Sequence, residues 1–130
     1  MTTTIHQQIQ FNVNANRLFQ ALTDSDIFSQ VTGGAPTEIH NEAGGPFSLF
    51  GGMIHGRTIE LVPNQLIVQA WRAKNWTEGV YTLVKFQLKE DGPSQTTIVF
   101  DQTGIPDGQA EHLEKGWHEN YWNPLNKYFA

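Results

Sequence analysis

One stripe near the C-terminus constrains the fold more than any other feature. Leu113, Trp117, Tyr121, Leu125 and Tyr128 recur at spacings of four, four, four and three, the period of a single helix face. Pro106 stops whatever precedes it, and Asp107 offers its carboxylate as an N-cap. A continuous helix from Gly108 to Phe129 would be roughly 33 Å long. Glu111, Glu114, Lys115, Glu119 and Lys127 fall mostly off the stripe. Pro124 lacks the N–H that would bond the carbonyl of Asn120, so a kink is expected there, with the stripe continuing in register past it. The alternative is that Asn123 and Pro124 open a second short helix. Either way, a long rod with an aromatic underside needs a broad apolar surface to lie on.

The rest of the chain supplies that surface. Ile5, Ile9, Phe11 and Val13 stand among polar neighbours at the period of a half-buried strand. Asn14 reads as the cap of a short helix to Leu22, and Thr23–Asp24 as its end and the start of a turn or second short helix over Ser25–Gln30. A run of hairpins follows. Strands are predicted over Thr37–Glu42, Phe47–Phe50, Met53–Val62, Leu66–Ala73, Glu78–Leu88 and Gln95–Gln102. The turns fall at Ala43–Gly45, Gly51–Gly52, Val62–Gln65 (type I, with Pro63 second) and Glu90–Pro93. Strands joined by tight turns are antiparallel. The expected architecture is α+β, one domain over 1–130. A curved antiparallel sheet of about seven strands surrounds a long C-terminal helix, with one or two short helices after strand one.

Composition narrows the function. A net charge of −5 with scattered Lys and Arg argues against nucleic acid. The N-terminus has neither the basic nor the apolar stretch of a secretory signal, and no apolar run is long enough to span a membrane. Together with the absence of cysteine, this places the chain in the cytoplasm as an expectation. Four Trp, three Tyr and eight Phe in 130 residues point to a bulky core, an apolar cavity or a contact patch.

The candidate residues follow from this layout. Phe47, Trp71, Val84, Phe86, Trp117 and Tyr121 are expected in the space between sheet and helix, either filling it as core or lining a ligand cavity. Gly56, inside a strand, marks a bend or a close backbone approach, a place where the helix or a ligand could sit against the strand. Trp76 lies in a polar turn beside Glu78. It either folds back onto the core or anchors a protein partner. The five histidines form no zinc motif, and the Glu114/His118 pair reads as a solvated helix flank, so no metal or cofactor is expected. No nucleophile elbow is present. Asp101 and Gln102, or Arg57, Glu60 and Arg72, could do acid–base work from a cavity, but cross-strand pairing explains such charges more simply.

The stretches Glu42–Arg72, Asn75–Gly79, Asp101–Pro106 and Glu114–Trp122 resemble the activator of heat shock protein 90 ATPase homologue family, in particular its C-terminal-type domain. The shared pieces are Gly44-Gly45-x-Phe47, Gly56, Leu61-Val62-Pro63, Trp71-Arg72, Gly104-Ile105-Pro106 and Gly116-Trp117. The resemblance runs from about Ile5 to Phe129. It implies the START-like, or birch-pollen-allergen-like, helix-grip fold, whose members elsewhere bind hydrophobic small molecules between sheet and helix. It also implies a co-chaperone-like role in the stress response. The eukaryotic co-chaperones carry a separate N-terminal domain, which 130 residues leave no room for. The expectation is a non-enzymatic domain binding a hydrophobic small molecule, a heat-shock chaperone, or both. The alternative is a helix-grip enzyme, cyclase- or hydrolase-like, using polar cavity residues.

Overall fold

The computed structural model describes residues 3–130. Strand β1 (Thr3–Phe11) is followed by helices α1 (Ala15–Thr23) and α2 (Ser25–Val31), and then by strands β2 (Glu38–Ile39), β3 (Pro46–Leu49), β4 (Ile54–Val62), β5 (Leu66–Ala73), β6 (Thr82–Gly92) and β7 (Gln95–Ile105). These form one antiparallel sheet in the order β1-β7-β6-β5-β4-β3-β2. Because β1 and β2 lie on opposite edges, α1 and α2 carry the chain from one edge to the other. Both helices start where the sequence places them. Asn14 Oδ1 accepts from the Arg17 amide and Asp24 Oδ1 from the Ile27 amide, each at 2.9 Å.

Inward faces follow the two-residue period. Ile67, Gln69 and Trp71 are buried on β5, Thr82, Val84, Phe86 and Leu88 on β6, and Thr96, Ile98, Phe100 and Gln102 on β7. Several boundaries differ from expectation. The strand predicted over Thr37–Glu42 shrinks to Glu38–Ile39. The amide of Gly44 and the carbonyl of Gly45 take the Thr58 backbone instead, leaving Asn41–Ala43 as loop. The strand predicted from Glu78 begins at Thr82, and β7 runs on to Ile105. Gly92 pairs with Gln95, so the turn is Pro93–Ser94 rather than Glu90–Pro93. Asn64 has φ 65°, which makes Val62–Gln65 a type II turn, not type I.

The C-terminal helix crosses the concave face as α3 (Ala110–Trp117), a π-wound turn (His118–Trp122) and α4 (Asn123–Tyr128), nineteen residues in unbroken helical succession. It begins after Gln109, so Asp107 is not its N-cap. Pro124 sits in the first turn of α4, where a missing N–H is tolerated. In the turn before it, the Asn123 amide bonds the carbonyl of His118, five residues back. The stripe still continues past Pro124 as expected, through Leu125 at 1% exposure, and the extra residue shows only beside it and at its end. Tyr121 and Trp122 both point inward, and Phe129 is buried in place of Tyr128, which is 42% exposed.

Beneath the helix the core is aromatic. The Trp117 ring lies 4.2 Å from Tyr121, 4.3 Å from Phe100 and 5.1 Å from Trp71 between centroids. Such pairs add to plain apolar burial. Buried hydrogen bonds fix the helix in place. Trp117 Nε1 donates to Gln102 Oε1 at 2.8 Å, Gln102 Nε2 to Thr82 Oγ1 at 3.0 Å, and Thr82 Oγ1 to the Trp71 carbonyl at 2.8 Å. Trp122 Nε1 donates to Gln7 Oε1 at 2.7 Å, tying the helix to β1. Gln102→Leu strands a buried indole N–H, and is expected to cost about 2 kcal/mol. The check is a lower urea midpoint at unchanged slope.

Candidate functional site

The aromatic core does not fill the whole space beneath the helix. Where α3 passes over the ends of β4 and β5, a cleft of about 340 Å³ remains. The sheet contributes Ile54, Trp71 and Ala73, the turn between β3 and β4 contributes Phe50 and Met53, and the loop after β5 contributes Asn75 and Trp76. The helix side presents Gln109, His112, Leu113, Gly116, Trp117, Asn120 and Tyr121. Met53, 57% exposed, stands with exposed His112 and Asn120 where the cleft meets solvent.

Local structure explains each wall. The chain turns out of β3 at Phe50, which adopts φ 53°, and continues through Gly51 and Gly52, also at positive φ. A left-handed phenylalanine is unfavourable unless packing holds it. Here its ring sits edge-on to Phe28 at 5.6 Å and to Tyr121 at 5.7 Å. The opposite wall depends on Arg72. Its buried guanidinium donates to the carbonyls of Trp76 at 2.8 Å, Thr77 at 3.1 Å and Val80 at 3.4 Å. Arg72 thus holds the segment from Trp76 to Val80 as a loop, which is why β6 starts at Thr82. It also seats half-buried Trp76 edge-on to Trp71 at 5.9 Å.

The polar groups of the cleft are few. The Tyr121 hydroxyl accepts a long hydrogen bond, 3.4 Å, from Trp71 Nε1. Burial pushes its phenol well above the ordinary tyrosine value, outweighing the opposing effect of the Trp71 bond. It therefore remains a protonated donor at any physiological pH. None of the cleft residues is Asp, Glu, Lys or Arg.

Of the residues singled out from the sequence, Trp71, Trp117 and Tyr121 meet at the cleft, as does Trp76. Phe47, Val84 and Phe86 are buried elsewhere in the core. Gly56 is a point of close backbone approach, as expected, and its neighbour is the adjacent strand. A Cβ there would lie 1.8 Å from the Ala70 carbonyl oxygen and 2.9 Å from Phe47 Cζ. Glu78 is exposed on the loop beyond Trp76. The residues weighed for acid–base work do not converge. Arg57 and Glu60 are exposed, Arg72 is committed to the loop, and Asp101 pairs with His6 at 2.7 Å. Gln102 is buried beneath Trp117 as a structural acceptor. Among the described residues no group of His, Asp or Glu is placed to hold a metal, and no helix is long and apolar enough to cross a membrane. Sequence reasoning missed Phe50, Met53, His112, Gly116 and Asn120. A glycine inside a helix was the available signal for one of them.

Comparison with known proteins agrees with this architecture. The family model described as activator of Hsp90 ATPase homolog 1-like protein matches residues 12–130. An activator of 90 kDa heat shock protein ATPase homolog from Dictyostelium discoideum is 38% identical over 118 residues, covering 91% of this chain and 28% of that protein. The human activator of 90 kDa heat shock protein ATPase homolog 1 is 27% identical over 120 residues, covering 92% of this chain and 35% of that protein. The chain thus spans roughly a third of the length of these curated relatives. Among solved structures, an HSP90 activator from Plasmodium falciparum superposes with a TM-score of 0.92 at 25% identity, covering 96% of this chain and 94% of that one. The Aha1 dimer from Colwellia psychrerythraea shares the fold, with a TM-score of 0.76 at 17% identity over 95% of this chain and 96% of that one.

Proposed function

Since the chain belongs to the activator of Hsp90 ATPase homolog 1-like family, we propose that it is a non-enzymatic binding domain that takes up an apolar small molecule between sheet and C-terminal helix. The observation supporting this reading is the cleft of about 340 Å³. It lies within the usual size range of ligand pockets, and has aromatic walls and a few polar groups able to orient a ligand. The enzyme alternative has no such support, because the charged side chains weighed for catalysis lie elsewhere. Three of the four tryptophans line the cleft, so intrinsic fluorescence reports on occupancy. Titration with uncharged aromatic compounds is expected to give a saturable change in emission. A flat response across compounds of suitable size removes this reading.

The names of the relatives favour a second role, docking on a heat-shock chaperone in the cytoplasm. Trp76 and Glu78, on the loop held by Arg72, are the contact candidates. Added to a purified chaperone of the 90 kDa heat-shock class, the protein is expected to raise ATP turnover. No change over a concentration series counts against it.

A further inference from the structure

Gly116 occupies the interior of α3, where glycine is a poor helix former. Neither of the usual reasons for a glycine applies. Its φ is not in the left-handed region. A Cβ at this position would meet only the Asn120 side-chain amide nitrogen, at 3.7 Å, an ordinary contact. Gly56, where a Cβ would strike the neighbouring strand, shows what a sterically required glycine looks like. At Gly116 the fold leaves room for a side chain and the sequence leaves it out. The result is bare helix backbone on one wall of the cleft.

Tyr121, on the same wall, adds a second observation. It is 4% exposed, its hydroxyl accepts from Trp71, and among the described residues that hydroxyl has no acceptor for its own proton. A buried donor without an acceptor is costly, and a ligand oxygen would satisfy it. The lining is otherwise indole, phenyl and aliphatic, with neutral Asn and Gln and a single histidine at the mouth. A charged ligand would lose its hydration with no counter-charge to replace it.

Resting on the cleft reading above, we propose a ligand class. The cleft seats a flat, uncharged molecule that lies against the open backbone at Gly116 and turns a carbonyl or ether oxygen toward the Tyr121 hydroxyl. Aromatic walls favour a planar body, and the absence of a side chain at Gly116 lets that body approach the helix closely.

The test uses the whole chain and two fluorescent probes: propionyl-dimethylaminonaphthalene, a planar ketone, and dimethylaminonaphthalene, which lacks the carbonyl. Both are expected to bind, the ketone more tightly. Gly116→Leu should weaken both by roughly 30-fold or more by filling the cleft. Gly116→Ala should raise the Tm by ~2–4 °C, since the helix gains and nothing clashes. Tyr121→Phe should weaken the ketone ~5–10-fold and leave the other probe within about twofold. Circular dichroism confirms that each variant is folded. If both probes bind the wild type and all variants equally, this inference falls while the apolar-ligand reading stands. Equal loss of both probes in Tyr121→Phe overturns the acceptor assignment, and a lower Tm for Gly116→Ala overturns the premise that packing does not need the glycine. If neither probe binds the wild type, the cleft reading fails and the inference with it.

Discussion

Trp117→Ala is expected to lose about 4 kcal/mol of folding stability, close to the upper end for a single truncation. The side chain is 2% exposed and touches Phe100, Tyr121, Trp71, Phe86 and Trp122 at once. Its removal opens a cavity that rings fixed on two sides cannot close. It also strips Gln102 of the indole N–H it accepts from. A domain of this size has only about 5–15 kcal/mol in total, so the variant should melt well over 10 °C lower and lose near-ultraviolet dichroism. Tyr128→Ala and Phe129→Ala provide the internal control. The π-wound turn leaves Tyr128 outside and Phe129 within. The first should therefore change stability by under about 0.5 kcal/mol and the second by about 2–3 kcal/mol. The reverse order would mean that the helix is wound without the extra residue.

Gly56→Ala should be nearly as damaging, although it adds one methyl group. Its Cβ would lie 1.8 Å from the Ala70 carbonyl oxygen, an impossible separation. Both backbones are fixed there, since Gly56 pairs with Trp71 on one side and with Phe47 on the other. Relief requires β4 and β5 to part locally, and the Phe47 ring to shift as well, at a cost of about 3 kcal/mol. Urea unfolding followed by tryptophan emission measures it. A loss below about 1 kcal/mol would show that the two strands are not packed this closely.

The sequence made the architecture legible because two periods survive in it without interruption. Alternation along β5, β6 and β7 matches the residues that lie inside, and the caps at Asn14 and Asp24 announce themselves by residue type and position. The family resemblance pointed to the same fold. Where a local rule has competing solutions, the reading went astray. A proline in a helix can be met by a kink or by an inserted residue, and only packing against Phe28 and Phe100 decides that Tyr121 and Trp122 both turn inward. Asn64 tolerates the left-handed region, so Val62–Gln65 could close as either turn type.

The candidate site was half legible for a related reason. Trp71, Trp117 and Tyr121 lie on faces that periodicity identifies as inward. Met53, His112 and Asn120 belong to the cleft only because α3 crosses the sheet where β4 begins and β5 ends, and no spacing along the chain records that crossing. Gln102 could have been placed beneath the helix from the β7 alternation alone. It was weighed as an acid–base group because a buried glutamine and a catalytic one look alike in sequence.

The most direct measurement on the cleft is proton–nitrogen NMR of the four indole N–H groups during titration with an uncharged aromatic ketone. The resonances of Trp71, Trp76 and Trp117 should shift together and saturate. That of Trp122, whose N–H is held by Gln7 outside the cleft, should stay in place. Shifts confined to Trp122, or no shift in any of the four at high ligand concentration, would contradict a binding site beneath this helix.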